Sequence, residues 1–286
     1  MKYGIFWGCA IPSRLPFIEK ATGFVLEKLG VDAAPIADAT CCMDPIVMKS
    51  LSADAWLATA ARNLALAKEQ GFDAVLTLCN GCFCSLNEAS VMLEEDAELK
   101  AKVNAALSTV GHAYPGGVKV RHLTQLLEEV PAEKVAALAV SPLAGRKVAT
   151  FHGCHLVRPR KHAGVDDPVR PTILDRLVDR LGGTPVEYSE RNECCGMGFA
   201  GSSDTAGFER LAPVIRKMEA SGAGVVVTPC PSCFLQIEGA GKAAGLVRPI
   251  PVLHVAEAFA RAFGMADEDL GLRFHRVPFA KEGVMV

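Results

Sequence analysis

The sequence predicts an α/β protein of two tandem homologous domains, each a small parallel sheet flanked by helices. Three observations support this fold class. A pattern of cysteines occurs twice, the residues around these cysteines repeat with them, and short apolar runs alternate with helical patterns in both halves. With 286 residues the chain exceeds the usual size of one domain. We place the two domains at residues 1–140 and 146–286.

In the first half, β-favouring apolar residues predict a strand at residues 2–7, and a continuous apolar run predicts a buried strand at residues 74–78. Helical periodicity covers Pro16–Leu29 and residues 53–70, and a glycine follows the second of these helices. A further helix is expected at residues 85–93. This alternation is typical of a parallel sheet covered by helices.

The second half repeats the alternation. Strands are expected at residues 147–151 and 224–228, and helices at residues 171–181 and 234–239. Residues 129–145 contain two prolines and a glycine, which indicates the connection between the domains, with part of it helical. The same fold is therefore predicted for both halves.

Ten of the eleven cysteines follow one pattern twice: a lone Cys, then Cys-Cys, then Cys-x-x-Cys. The N-terminal set is Cys9, Cys41, Cys42, Cys79 and Cys82, and the C-terminal set is Cys154, Cys194, Cys195, Cys230 and Cys233. The flanking segments also match, as KYGIFWGC matches KVATFHGC and AVLTLCNGC matches VVVTPCPSC. Equivalent cysteines lie 145, 153 and 151 residues apart, so the copies keep their order with small insertions.

Four of these cysteines directly follow a predicted strand: Cys9, Cys79, Cys154 and Cys230. Ligands of parallel sheets collect at the carboxyl ends of the strands, so both sets are expected there. A Cys-x-x-Cys between a strand and a helix places two thiolates at a helix N-terminus, which favours negative charge. Nearby glycines are expected to let the backbone approach the bound group: Gly8, Gly81, Gly153 and Gly196.

The composition narrows the classes of function. The formal net charge is −2 and no long basic run occurs, which argues against nucleic acid or anionic lipid as the main partner. No apolar stretch approaches the ~20 residues that a membrane span needs, and the N-terminus lacks the apolar core of a signal peptide. We therefore expect a cytoplasmic protein, bound to a membrane at most through a partner. In that compartment, metal or redox chemistry explains eleven cysteines better than structural disulfides do.

Several kinds of thiol site remain open on the residues alone. Five thiolates in each half exceed the four ligands of a cubane iron–sulfur cluster, which indicates an unusual cluster or four ligands and one reactive thiol. Zinc is an alternative, although it normally takes four ligands and adjacent cysteines are uncommon in its structural sites. A thioredoxin-like dithiol is another alternative, but it leaves three matched cysteines in each half unexplained. Neither motif continues as Cys-x-x-Cys-His, so covalent haem is not supported.

Five further residues have simpler expected roles. Cys84 has no counterpart in the second half and is expected to be a buried free thiol. His122 and His254 match between the halves and stand between a strand and a helix, so a packing or capping role is expected. His152 and His155 flank the lone cysteine of the second half only, so any role of theirs belongs to one site.

The cysteine pattern resembles that of the CCG-domain family of cysteine-rich proteins, and the chain is similar to the B subunit of heterodisulfide reductase. The resemblance runs from Cys9 to about His254 and includes both complete motifs. TCCM lacks the glycine found in ECCG, and the 34-residue spacer in the second half is slightly short for the family. The resemblance implies that each five-cysteine set binds a noncubane [4Fe-4S] cluster. It also implies that halves related by a pseudo-two-fold axis face each other across a substrate disulfide.

The resemblance implies a catalytic iron–sulfur subunit of a heterodisulfide reductase-like complex. Its substrate would be the coenzyme M–coenzyme B heterodisulfide or a related thiol or sulfur carrier. Electrons would come from a flavin-containing subunit of the A type through a ferredoxin-like iron–sulfur subunit of the C type. The alternative is a non-catalytic electron-transfer CCG subunit of another respiratory or quinone-linked complex.

Overall fold

The computed structural model describes residues 1–141, 143–199, 202–246 and 249–279. In the first half the elements are β1 (Tyr3–Phe6), α1 (Ala10–Arg14), α2 (Pro16–Leu29), β2 (Ala33–Pro35), α3 (Val47–Leu51), α4 (Ala53–Glu69), β3 (Ala74–Thr77), α5 (Asn80–Glu95), α6 (Ala97–Ser108), β4 (Lys119–His122), α7 (Leu123–Glu129) and α8 (Ala132–Leu138). In the second half they are β5 (Lys147–Thr150), α9 (Arg160–Ala163), α10 (Ile173–Arg180), β6 (Thr184–Pro185), α11 (Asp204–Ala220), β7 (Val225–Thr228), α12 (Pro231–Ala240), β8 (Val252–His254) and α13 (Val255–Ala262). Short 3₁₀ turns cover Met197–Phe199 and Leu272–Phe274.

Each half contains a four-stranded, wholly parallel sheet, which confirms the predicted fold class. The strand orders are β2-β1-β3-β4 and β6-β5-β7-β8, so the two sheets have the same topology. The central strands β1, β3 and β7 are buried along their whole length. Such strands read as continuous apolar runs, which is why the sequence identified them.

The predicted elements are present with shifted ends. Helix α2 has the predicted bounds, and α4 and the central strands differ by one or two residues at an end. The prediction was wrong for the starts of α5 and α12, which begin at Asn80 and Pro231 rather than at residues 85 and 234. The reason is that Cys79 and Cys230 are extended and serve as the N-caps. The expected connection at residues 129–145 contains α8; its Pro142 and the chain end at 280–286 lie outside the described residues.

The halves pack through reciprocal helix contacts. Helix α2 packs against α13, and α7 packs against α10. Since α2 and α10 follow the first strand of their halves, and α7 and α13 follow the fourth, the two contacts are equivalent under exchange of the halves. This is the arrangement expected of domains related by a pseudo-two-fold axis. Within the described ranges, no helix combines the length and apolar character that crossing a bilayer requires.

A buried polar cluster fastens the segment after α13 to the C-terminal half. His275 Nε2 lies 2.9 Å from Glu257 Oε1, and both side chains are fully buried. His275 Nδ1 lies 3.8 Å from Glu238 Oε1, and burial raises the pKa of Glu238 to about 7. The ring of His275 also packs between Phe17 and Phe234. Burial alone would lower the pKa of His275, but the hydrogen bond with Glu257 and the two carboxylates raise it.

Candidate functional site

The strand order places the lone cysteine and the Cys-x-x-Cys of each half side by side. In the order β2-β1-β3-β4, β2 lies on one side of β1 and β3 on the other, so the topological switch point falls between β1 and β3. The crevice at the carboxyl ends of these two strands is the usual ligand site of such a sheet. Cys9 lies just beyond β1, and Cys79 follows β3 closely. Cys154 and Cys230 occupy the same positions beyond β5 and β7.

The Cys-Cys loop of the first half is held in place by two helices. Asn63 of α4 accepts a hydrogen bond from the Thr40 amide (2.9 Å) and donates one to the Cys41 carbonyl (3.2 Å). Ser85 of α5 donates to the Met43 carbonyl (2.7 Å). Sequence reasoning missed Asn63, although a signal was present, because this polar residue lies on the otherwise apolar stripe of α4.

The Cys-Cys loop of the second half is fastened directly to the segment that carries Cys154. The Arg191 carbonyl accepts hydrogen bonds from the amides of His152 (2.7 Å) and Gly153 (3.3 Å), and the Arg191 side chain pairs with Asp175 of α10. These partners connect elements distant in sequence, and no pattern in the sequence marked them.

Gly196 follows the second Cys-Cys pair, and its role differs from the expected one. A Cβ on Gly196 would lie 2.7 Å from the Gly207 carbonyl oxygen of α11, so this glycine permits close packing of a helix rather than of a bound group. Its amide still serves the site, because it donates a hydrogen bond to Cys194 Sγ (3.4 Å).

The thiols of the N-terminal set influence one another. In the order Cys9, Cys41, Cys42, Cys82 and Cys79, each thiol shifts the pKa of its neighbour. The hydrogen bonds with Cys42 and Cys9 lower the pKa of Cys41 to about 2, whereas the bond with Cys41 and burial raise the pKa of Cys9. The thiols compete for protons in this way because five adjacent thiolates repel one another unless cations share the site.

The thiols of the C-terminal set influence one another in the same way. Cys195 and Cys230 raise the pKa of Cys233, and Cys194 raises the pKa of Cys154. The bond with Cys154, helped by the Gly196 amide, lowers the pKa of Cys194 to about 6, while the same bond raises the pKa of Cys154. Both halves therefore show the same competition for protons.

The two sets meet at the interface between the halves. Cys79 Sγ and Cys230 Sγ lie 3.8 Å apart and both are buried. The pKa of Cys230 is lowered well below its ordinary value by hydrogen bonds with Cys233 and Cys79, and the backbone amide of Asn80 contributes. A residue of the first half thus helps to lower the pKa of a cysteine of the second.

Each set lines a cavity of its own. The cavity of the N-terminal set has a volume of about 100 Å³, and that of the C-terminal set about 70 Å³; all five cysteines of each set line the corresponding cavity. Since ~10–15 Å³ of cavity volume of this kind holds one water molecule, each cavity has room for several heavy atoms. Cys9 and Cys41 are exposed, whereas the C-terminal cysteines are half-buried or buried.

Two of the expected glycines do approach the thiols closely. A Cβ on Gly8 would lie 2.8 Å from Cys82 Sγ, and a Cβ on Gly153 would lie 3.0 Å from Cys233 Sγ. Both glycines also have left-handed φ angles, of +69° in each case. Gly81 has only an ordinary contact of 3.8 Å with Cys79 Sγ, so its expected role is weaker.

The remaining residues mostly follow expectation. Cys84 is buried in α5 and lines neither cavity, and burial raises its pKa to about 12.

His122 and His254 cap α7 and α13, and His254 Nε2 also lies 3.0 Å from the Leu78 carbonyl across the interface. His152 is fully buried and accepts a hydrogen bond from the Leu174 amide (3.2 Å), a structural role. His155 lines the C-terminal cavity.

The donors in each cavity fit an iron–sulfur cluster. Cysteine thiolates are the usual ligands of such clusters. Among the described residues, no group of three or more His, Cys, Asp or Glu side chains is arranged to hold a single metal ion. Thiols spread around a cavity suit a group of several metal atoms better than one zinc ion. A separate dithiol is also disfavoured, because each Cys-x-x-Cys pair lines its cavity together with the other three cysteines of its set.

Comparison with known families and proteins agrees with this geometry. The CCG cysteine-rich domain matches twice, at residues 3–87 and 148–238. The chain is 37% identical over 278 residues to the B subunit of the ferredoxin/F420H2-dependent CoB-CoM heterodisulfide reductase of Methanosarcina acetivorans, covering 95% of this chain and 92% of the relative. It is 30% identical to the membrane anchor subunit of the 8-methylmenaquinol:fumarate reductase of Wolinella succinogenes, covering 99% of each.

A solved structure supports the fold alone. A hypothetical protein from Helicobacter pylori has a TM-score of 0.78 at 18% identity, and the match covers 98% of this chain. The chain spans about half of that protein, since 52% of its length is covered.

Proposed function

Because the chain belongs to the CCG cysteine-rich domain family, we propose that it is the iron–sulfur subunit at which a heterodisulfide reductase-like complex reduces a disulfide. The observation that carries this proposal is the meeting of two five-thiol sets at one interface, where Cys79 and Cys230 are 3.8 Å apart. Each set would hold one noncubane [4Fe-4S] cluster. The domains at residues 1–140 and 146–286 would each contribute one five-cysteine set and so hold one cluster.

The two cluster sites suit a substrate made of two sulfurs. Reduction of a disulfide RS–SR′ breaks the S–S bond, takes up two electrons and two protons, and yields RSH and R′SH. The clusters would supply the electrons. The chain itself would bind the substrate between its halves, where His155 lines the C-terminal cavity.

Electron supply is proposed to come from partner subunits. Relatives of this chain are named as subunits of heterodisulfide or fumarate reductases, both of which are oxidoreductases. A flavin-containing subunit and a ferredoxin-like iron–sulfur subunit would deliver the electrons. The complex would work in the cytoplasm, whose reducing conditions keep the cysteine thiols free to bind iron.

A second candidate is an electron-transfer subunit that does not touch the substrate. The observation that favours it is the 30% identity over 99% of the chain with the fumarate reductase subunit, whose name describes a membrane anchor and quinol chemistry. In that case the two clusters would pass electrons onward without releasing thiols.

The proposal predicts disulfide reduction by the cluster-loaded protein under anaerobic conditions. With reduced viologen dye as electron donor, we expect two thiols released for each CoB-CoM heterodisulfide, and a panel of other small disulfides would define the substrate range. Cys195→Ser should abolish thiol release, because it removes a proposed ligand. Cys84→Ser is the matched control and should keep it, since Cys84 lines neither cavity. Clusters that exchange electrons with the dye but release no thiol from any disulfide would support the second candidate.

A further inference from the structure

Each cysteine cavity is completed by residues from the opposite half. The C-terminal cavity is lined by Asn80 and Gly81, the first two residues of α5. The N-terminal cavity is lined by Pro231 and Ser232, the first two residues of α12. This exchange follows from the 3.8 Å contact between Cys79 and Cys230, which places each helix start beside the other site.

The two helix starts share one backbone conformation but differ in their first residue. Cys79 and Cys230 are both extended N-caps, with φ/ψ of −135°/129° and −133°/122°. The next residue is Asn80 in one half and Pro231 in the other. The first N–H groups of a helix have no partner within the helix, so they are free to bind an anion. Asn80 has such an N–H, whereas proline has none.

Asn80 is held firmly in the opposite site. Its side chain is 2% exposed, and its Nδ2 donates a hydrogen bond to the His152 carbonyl (2.8 Å) in the segment that leads to Cys154. Its backbone N–H is the first of α5, and Asn80 lines the C-terminal cavity together with Cys230. The start of α5 therefore lies against the segment of the opposite half that leads to Cys154.

We infer that the two clusters are electronically unequal, because the Asn80 N–H raises the reduction potential of the C-terminal cluster and Pro231 offers no such donor to the N-terminal one. The inference rests on the proposed function, which places a cluster in each cavity. An N–H dipole at the wall of a cluster site stabilises negative charge, and the reduced cluster carries one more negative charge than the oxidised cluster. Asn80 is thus a positioning residue that acts across the interface.

The test is an anaerobic redox titration of the cluster-loaded protein, followed by electron paramagnetic resonance. Asn80→Pro should lower one midpoint potential by about 59 mV, a tenfold change in the ratio of reduced to oxidised cluster for a one-electron couple. Proline is compatible with the site, since Pro231 occupies the equivalent position after the same backbone conformation. The shifted signal should be the one that Cys233→Ser removes.

Two matched variants isolate the N–H. Asn80→Ala keeps the backbone amide, so the midpoint potential of the C-terminal cluster should stay close to the wild-type value. Pro231→Ala introduces an amide beside Cys79 and should raise the midpoint of the other cluster by a similar amount.

The inference is wrong if both clusters are present and Asn80→Pro moves neither midpoint, or moves both equally. It is also wrong if Asn80→Ala shifts the potential as far as Asn80→Pro does, because the side chain would then be responsible. Wild-type protein without any cluster signal would overturn the proposed function itself, and the inference with it.

Discussion

Gly8→Ala is expected to remove the N-terminal cluster and leave the C-terminal cluster in place. The new Cβ would lie 2.8 Å from Cys82 Sγ, closer than real Cβ atoms come to their neighbours, so the proposed ligand would have to move. The φ angle of +69° adds a backbone cost of ~1–2 kcal/mol for any residue with a Cβ. Iron per chain should fall to about half of the wild-type content.

Gly30→Ala is the matched control for the backbone cost. Gly30 has almost the same φ, +67°, but nothing lies within 4 Å of the added Cβ. Gly153→Ala is the reciprocal variant and should remove the C-terminal cluster, since its Cβ would lie 3.0 Å from Cys233 Sγ. Full iron content in Gly8→Ala, or an equal loss in Gly30→Ala, would contradict the proposed contact between glycine and ligand.

His275→Ala is expected to lower the free energy of unfolding by about 3–5 kcal/mol, because it leaves Glu257 buried without its partner. The variant also removes a ring packed between Phe17 and Phe234. The change is measured as a shift of the urea midpoint at constant slope.

Lys20→Ala supplies the comparison for this prediction. Lys20 and Asp269 form an ion pair of 2.6 Å, but both side chains are more than half exposed, so its loss should cost about 0–1 kcal/mol. If His275→Ala costs no more than Lys20→Ala, the buried cluster around Glu257 contributes little to stability.

The fold of each half could be predicted from the sequence because its signals are local. Strands buried on both faces read as apolar runs, and the cysteines that follow them must lie at the carboxyl edge of a parallel sheet. Cys9 and Cys79 could therefore be placed together from the sequence alone. The start of α5 was misplaced because a cysteine is not a typical N-cap residue.

The relation between the halves could not be predicted in detail. A repeat defines each domain, but the docking of the domains depends on surfaces that only the folded chain forms. The hydrogen bond from Asn80 to the His152 carbonyl and the contact between Cys79 and Cys230 span 72 and 151 residues and leave no local pattern. His275 likewise lies beyond the last matched segment of the repeat, which is the one around His254.

The two five-cysteine sets are proposed to hold two iron–sulfur clusters. The most direct test of this proposal is the iron and acid-labile sulfide content of protein purified or reconstituted without oxygen. Two [4Fe-4S] clusters predict about eight iron atoms and about eight sulfides per chain. Iron near zero with no labile sulfide, or zinc in place of iron, would contradict it.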